Sequence, residues 1–176
     1  RSPDIARAYA EPQRHYHTAQ HISECLTWFD RVAPQLRDAP LVELALWLHD
    51  LVYDARRHDN EAQSARLAGG WMAGLWRARA AQLVRYIEAT RHHAPSPQDL
   101  DLQALHDIDL SILGADWPRF QQFQQQVSAE YAHLPPSVYN ARRQQYLRTL
   151  AQRVRLFHHP LLAPDLEPRA RQNLLV

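Results

Sequence analysis

Apolar residues recur three and four positions apart along most of the chain, and no run alternates apolar and polar positions. That spacing puts the apolar side chains on one face of a helix, so the pattern predicts an all-α protein. Proline and glycine punctuate it. A short helix is expected over 3–10, ending near Pro12. The next covers 18–32, with Ile22, Leu26, Phe29 and Val32 on one face. Pro40 opens a strongly apolar helix whose inward positions are Leu41, Leu44, Ala45, Leu48 and Val52. Asp59 is placed to cap a helix through Ala73, because a short acidic side chain accepts from free N–H groups at a helix start. Gly69-Gly70 weakens the middle of that helix. Helices over 77–92 and 99–113 follow, parted by a loop over 93–98 that holds Pro95 and Pro97; Gly114 ends the second. Two longer helices, 117–134 and 136–158, flank Pro135-Pro136, and a tail helix is expected near 165–175. The result is a single domain, a bundle of roughly seven helices over residues 1–176.

Polar residues interrupt the apolar stripes at a few positions. His49 sits four after Ala45 and three before Val52, within the stripe of its helix. Asp50 follows it, about 100° round the helix. Asp109 lies four after Leu105 and three before Ile112. His21 is four before Cys25, beside Ile22 and Leu26. Two imidazoles and two carboxylates from three helices thus point at or near one core. Burying an unpaired charge costs on the order of several kcal/mol, so such groups need partners, and a divalent cation would satisfy all four at once. The mixed nitrogen and oxygen donors suit Mn, Fe, Co, Ni or Zn.

Composition narrows the field. The 176 residues hold 20 basic and 19 acidic side chains, for a net charge of +1, which argues against a nucleic-acid module. All the basic residues are arginine, so lysine chemistry is excluded. Mean hydropathy is −0.53 and no apolar run spans a bilayer. One cysteine, Cys25, excludes a disulfide framework and reads as core. Four glycines leave no phosphate-cradling Gly-rich loop. No signal-peptide apolar region opens the chain, and the cytoplasm is the expected location. Eleven histidines are the remaining bias. His-Asp pairs number three, His49-Asp50, His58-Asp59 and His106-Asp107, where composition alone predicts about 0.75. Only the first lies deep in an apolar helix.

The order His21, His49-Asp50, Asp109 on a helical chain resembles the HD superfamily of metal-dependent phosphohydrolases. The segment from Arg14 through His15, Tyr16, His17 and His21 to Ile22 resembles the opening of small bacterial HD proteins. So do Ala45-Leu46-Trp47-Leu48-His49-Asp50 and Asp59-Asn60-Glu61-Ala62, and Ile108-Asp109-Leu110 is similar to the family's closing aspartate. The likeness covers residues 5–115 firmly, leaving 116–176 as a C-terminal helical extension. It implies an HD-type bundle with His21, His49, Asp50 and Asp109 as metal ligands, Asp107 being the rival of Asp109. It implies a metal-activated water that hydrolyses a nucleotide or similar small phosphate ester. Asp50 would orient that water, and Glu61 would be general base or a partner to a ligand histidine. Arg14, His17 and His92 are the candidates for phosphate contact. Magnesium is a further option for the ion, and one ion fits better than two. A second would need His92 or His93 and an asymmetric role for Glu61.

Other readings stand beside this one. A second iron would make the chain an HD-type di-iron oxygenase; a metal without turnover would make it a binding module. A lone buried histidine is more often hydrogen-bonded core than ligand, and the set of four carries the metal reading. Glu61 also suits a helix N-terminus, and His92-His93 a helix C-terminus. The stripe from Tyr139 to Phe157 reads as core packing rather than a nucleobase platform. Arg142, Arg143, Arg148, Arg153 and Arg155 read as a solvated face, with no membrane or nucleic-acid partner expected.

Overall fold

The computed structural model describes residues 4–74, 76–92 and 97–175. Among them the chain is all helical, with nine helices where seven were expected. These are α1 (Ile5–Ala8), α2 (Ala19–Val32), α3 (Ala39–Leu48), α4 (Asn60–Ala73), α5 (Arg77–Ala89), α6 (Leu100–Asp109), α7 (Trp117–Glu130), α8 (Pro136–Ala151) and α9 (Ala163–Asn173). A 3-10 turn, Leu110–Gly114, continues α6. No helix among the described residues is long and apolar enough to cross a membrane.

Helix α6 is the axis of the bundle. Every residue from Asp101 to Ile108 is buried, and α2 and α3 pack against it. Its start is capped by Asp99, which accepts from Leu102 N. Within the same first turn, both oxygens of Asp101 accept from the backbone of Arg37 and Asp38 at 2.9 Å. That bond ties the α2–α3 loop to α6, and Asp38 then caps α3 by accepting from Leu41 N. The α2–α3–α6 packing is therefore fixed in register by two carboxylates.

Several expectations are corrected. Helix α3 ends at Leu48, with His49 as its C-cap, and Val52 lies beyond it in a turn. Helix α4 runs through Gly69-Gly70, and Gly69 is where α5 approaches it. A Cβ there would sit 2.5 Å from Val84 Cγ2. Asp59 occupies the N-cap position of α4 without capping it, since its carboxylate is taken by Arg57 and Gln63. Helix α8 stops at Ala151, and Val154 is exposed rather than inward. Of the stripe from Tyr139 to Phe157 only the Leu150 and Phe157 end joins the core; Tyr146 and Val154 are exposed. The loop residues 93–96, His93 included, lie outside the described residues.

The C-terminal extension is tied into the core. Gly114 touches α9 so closely that a Cβ would lie 2.8 Å from Leu166 O. Asn173 donates to Leu113 O and Ala115 O. Arg171 donates to the carbonyls of Ala151 and Arg153, while Glu167 accepts from the amides of Leu156 and Phe157. Helix α9 thereby holds the segment that follows α8.

Candidate metal centre

Three elements bring the predicted donors together. His21 stands in the first turn of α2, whose N-cap Thr18 accepts from Gln20 N. His49 and Asp50 come from the C-terminal end of α3, and Asp109 is the last residue of α6. A helix C-terminus carries partial negative charge, so two of the three elements turn their cation-favouring ends to this point. His49 is the C-cap of α3 and keeps helical backbone angles, φ −63° and ψ −35°, so Asp50 follows it as the next helical position would.

The donor atoms are close. His49 Nε2 lies 3.0 Å from Asp50 Oδ2 and 3.3 Å from both Asp109 Oδ1 and His21 Nε2. His21 Nε2 lies 3.3 Å from Asp109 Oδ1 and 3.8 Å from Asp50 Oδ2. The ligand atoms of His21, His49 and Asp50 all fall within 4.8 Å of one another. Metal–donor bonds of about 2.0–2.2 Å separate neighbouring donors by roughly 3.0–3.5 Å in octahedral or tetrahedral shells. The residues present therefore fit one divalent ion.

The tautomers agree with that role. His49 Nδ1 donates to Leu46 O at 2.9 Å, a carbonyl that can only accept, which leaves Nε2 for the cluster. His21 Nδ1 lies 3.1 Å from Tyr16 Oη. Burial lowers the pKa of His49, but Asp50 and Asp109 outweigh it and hold the imidazole well above its usual range. Burial likewise raises the Asp50 carboxyl, and His49 and His17 overcome it, holding it well below the carboxylate range. Metal ligation needs the neutral imidazole nitrogen, so a cation bound here would compete with a proton at His49 Nε2.

Asp107, the rival, faces away. Its Oδ2 accepts from the amides of His158 and His159 at 2.7 and 2.6 Å, and its Oδ1 is buried without a hydrogen-bond partner. Burial raises its pKa to about 7 against those two amides. His106 is buried in the core and His58 is exposed.

A cavity of about 820 Å³ opens over the cluster, with His49, Asp50 and Asp109 in its lining. Glu61, in the first turn of α4, lines it, as do His17 and His92. Arg14 does not. Its guanidinium is wholly buried and donates to Glu11, to the carbonyl of His17 and to the carbonyls of Asp50 and Leu51, at 2.6 Å and 3.0 Å for the last two. It holds the turn that carries Asp50 rather than reaching a substrate.

Two parts of the site escaped the sequence reading. Glu130, the last residue of α7, is buried and accepts through Oε1 from the amides of His15, Tyr16 and His17 at 2.8–3.0 Å. Its Oε2 accepts from His17 Nδ1 at 2.8 Å and from Tyr53 Oη at 2.9 Å. Burial raises its pKa, but His17 and the amides prevail and bring it down to about 2. The only sequence signal was an acidic residue interrupting the apolar face of Phe123 and Val127. The second part is α8, whose Arg142 and Arg143, with Arg153 just beyond, line the cavity. Their spread round the helix suggested a solvated face; Arg142 is indeed exposed and Arg143 and Arg153 are half-buried, yet all three line the cavity.

Comparisons with family models, with curated proteins and with solved structures return no match.

Proposed function

We propose that this chain is an HD-type, metal-dependent phosphohydrolase acting in the cytoplasm on a nucleotide or similar small phosphate ester. One observation carries the reading: four donors at single-ion spacing lie beneath a large cavity lined by arginines. His21, His49, Asp50 and Asp109 would hold the ion, which is Mn, Fe, Co, Ni or Zn by donor type, or Mg. When bound, it supplies a Lewis acid that makes water acidic and polarises a phosphoryl oxygen.

The chain's own residues do the rest. Asp50, held ionised, orients the attacking water through its carboxylate. Glu61, which lines the same cavity, accepts that water's proton as general base. His17 stacks on Tyr53 at 3.9 Å, and its Nδ1–H is committed to Glu130, so its Nε2 is left to serve the cavity. Burial lowers the pKa of His17, but Asp50 and Glu130 outweigh it, so a proton at Nε2 is favoured. That proton can pass to the leaving oxygen of the ester. Arginines of the wall bind the non-bridging phosphate oxygens in the paired geometry a guanidinium offers.

The experiment is a screen of phosphorylated metabolites with protein loaded separately with each ion, scored by phosphate release. Hydrolysis of at least one ester, lost in both Asp50→Ala and Glu61→Gln, is the expected result. Two iron equivalents with oxygen consumption would replace this reading by a di-iron oxygenase, and one tight ion with no turnover would reduce it to a binding module.

A further inference from the structure

The cavity over the ion cluster holds about 820 Å³, room for a whole small molecule rather than one phosphate group. Its lining changes character along its length. Asp50, Glu61 and His92 belong to a polar part. Another part is apolar. Phe123 and Val127 of α7, with Tyr131 and Leu134 just beyond it, recur at the spacing of one helical face. Helix α8 adds Tyr139 and Tyr146, which lie seven apart and so share a face. Tyr139 is half-buried and Tyr146 is 45% exposed. The Tyr146 ring is braced, since the guanidinium of Arg143 lies 5.5 Å from it and 4.9 Å from the ring of Phe123. Burial raises the pKa of the Tyr146 hydroxyl, Arg143 opposes that and Asp109 adds to it, so this side chain stands within electrostatic reach of the ion cluster.

This apolar part offers ring faces rather than hydrogen bonds. The rings of Tyr131 and Tyr139 lie 5.8 Å apart, and their hydroxyls are engaged with Tyr53 and Ser128. Asn60 is the one carboxamide in the lining among the described residues. Both its ends are bound to the backbone of Asp54, Oδ1 accepting from the amide and Nδ2 donating to the carbonyl. The hydroxyl of Thr90 donates to Ile87 O. A nucleobase is told from its rivals by donors and acceptors on its edge, which carboxamide side chains match well. With these groups committed, what remains to select a ligand is aromatic and aliphatic surface.

We infer that Tyr146, with Tyr139 and the α7 face, forms an apolar subsite that takes the organic part of the phosphate ester, and that this part is a flat aromatic ring rather than a nucleoside. The substrate class is then an aryl phosphate ester, its phosphate at the ion cluster and its ring against Tyr146. The inference narrows the phosphohydrolase reading and rests on it for the phosphate end.

Binding of methylphosphonate and phenylphosphonate, neither of which can be hydrolysed as an ester, is measured by calorimetry on the full chain supplied with manganese. Phenylphosphonate is expected to bind at least about tenfold more tightly, a factor that burial of roughly 60 Å² of ring surface supplies. Tyr146→Ala, at an exposed position, should bring the two within about threefold while methylphosphonate affinity stays. Tyr146→Phe should keep the preference, because it keeps the ring. Equal affinity for the two phosphonates, no binding of either, a full preference in Tyr146→Ala or its loss in Tyr146→Phe would overturn the subsite. So would a nucleoside 5′-phosphonate that binds more tightly than phenylphosphonate. Metal content of the same preparations is read by elemental analysis. Equal affinities in protein that carries its ion remove the subsite alone. A preference for the ring in protein that takes up no ion upholds the subsite and removes the metal-dependent phosphohydrolase reading.

Discussion

Glu130 and His17 lie 113 residues apart, yet a carboxylate oxygen of one is 2.8 Å from Nδ1 of the other. The second oxygen of Glu130 gathers three successive amides of the same loop. A single buried side chain at the end of α7 thus fixes both the path of residues 15–17 and the tautomer of His17. It also shows that the extension completes the site.

Replacing Glu130 by Gln should destabilise the protein and flatten its acid dependence. A carboxyl lowered from 4.5 to about 2 stabilises the fold above pH 4.5. That stabilisation is lost as pH falls from 4.5 through about 2, and the shift corresponds to about 3 kcal/mol. His17, raised in turn, adds stabilisation that is present below its usual 6.5 and fades as pH rises through its raised value. Urea midpoints measured across acid pH should fall more steeply in the native protein than in Glu130→Gln, where the lowered carboxyl of Asp50 still contributes; parallel curves would show that the loop does not depend on this carboxylate.

Arg14→Ala should cost roughly 3 kcal/mol or more, because buried carbonyls of Asp50 and Leu51 and the carboxylate of Glu11 lose their donor together. Arg14→Lys should recover less than half, since one ammonium cannot span the fork. Metal affinity falls with the turn that carries Asp50, while phosphate affinity of the folded protein is unchanged. A selective loss of phosphate binding with native stability would return Arg14 to the cavity.

Gly114→Ala should destabilise by about 1–3 kcal/mol, because the added methyl meets Leu166 backbone rather than a side chain that can turn aside. Thermal unfolding checks this. A variant as stable as the native chain would mean that α9 sits further from the turn after α6 than 2.8 Å to the Leu166 carbonyl implies.

Much of this was legible in the sequence. The helical period set the fold class, and a polar residue inside an apolar stripe picked out His49 and Asp109, which the fold brings within 3.3 Å of each other. Position also separated Asp109 from Asp107. The failures have physical causes. Helical spacing cannot say where a helix stops, so Val52 was placed on a helix that ends at Leu48. An arginine beside a site motif looks like a phosphate ligand, whereas Arg14 is consumed by local carbonyls that periodicity does not reveal. Glu130 and the α8 arginines act across the chain, and nothing local distinguishes a buried carboxylate at a helix end from a solvated one. His58 and His106 carry the same dipeptide as His49, but one is exposed and the other is buried away from the cluster. Alanine at either should leave metal content unchanged by elemental analysis, and loss in one would transfer the site to that pair.

The most direct measurement is metal content per chain by elemental mass spectrometry, native protein against Asp50→Ala, with thermal unfolding run on both. One equivalent of a divalent ion in the native protein, lost in a variant that still unfolds cooperatively, is the predicted result. A full equivalent retained by Asp50→Ala, or a native chain that takes up none of the ions offered, would contradict the metal centre.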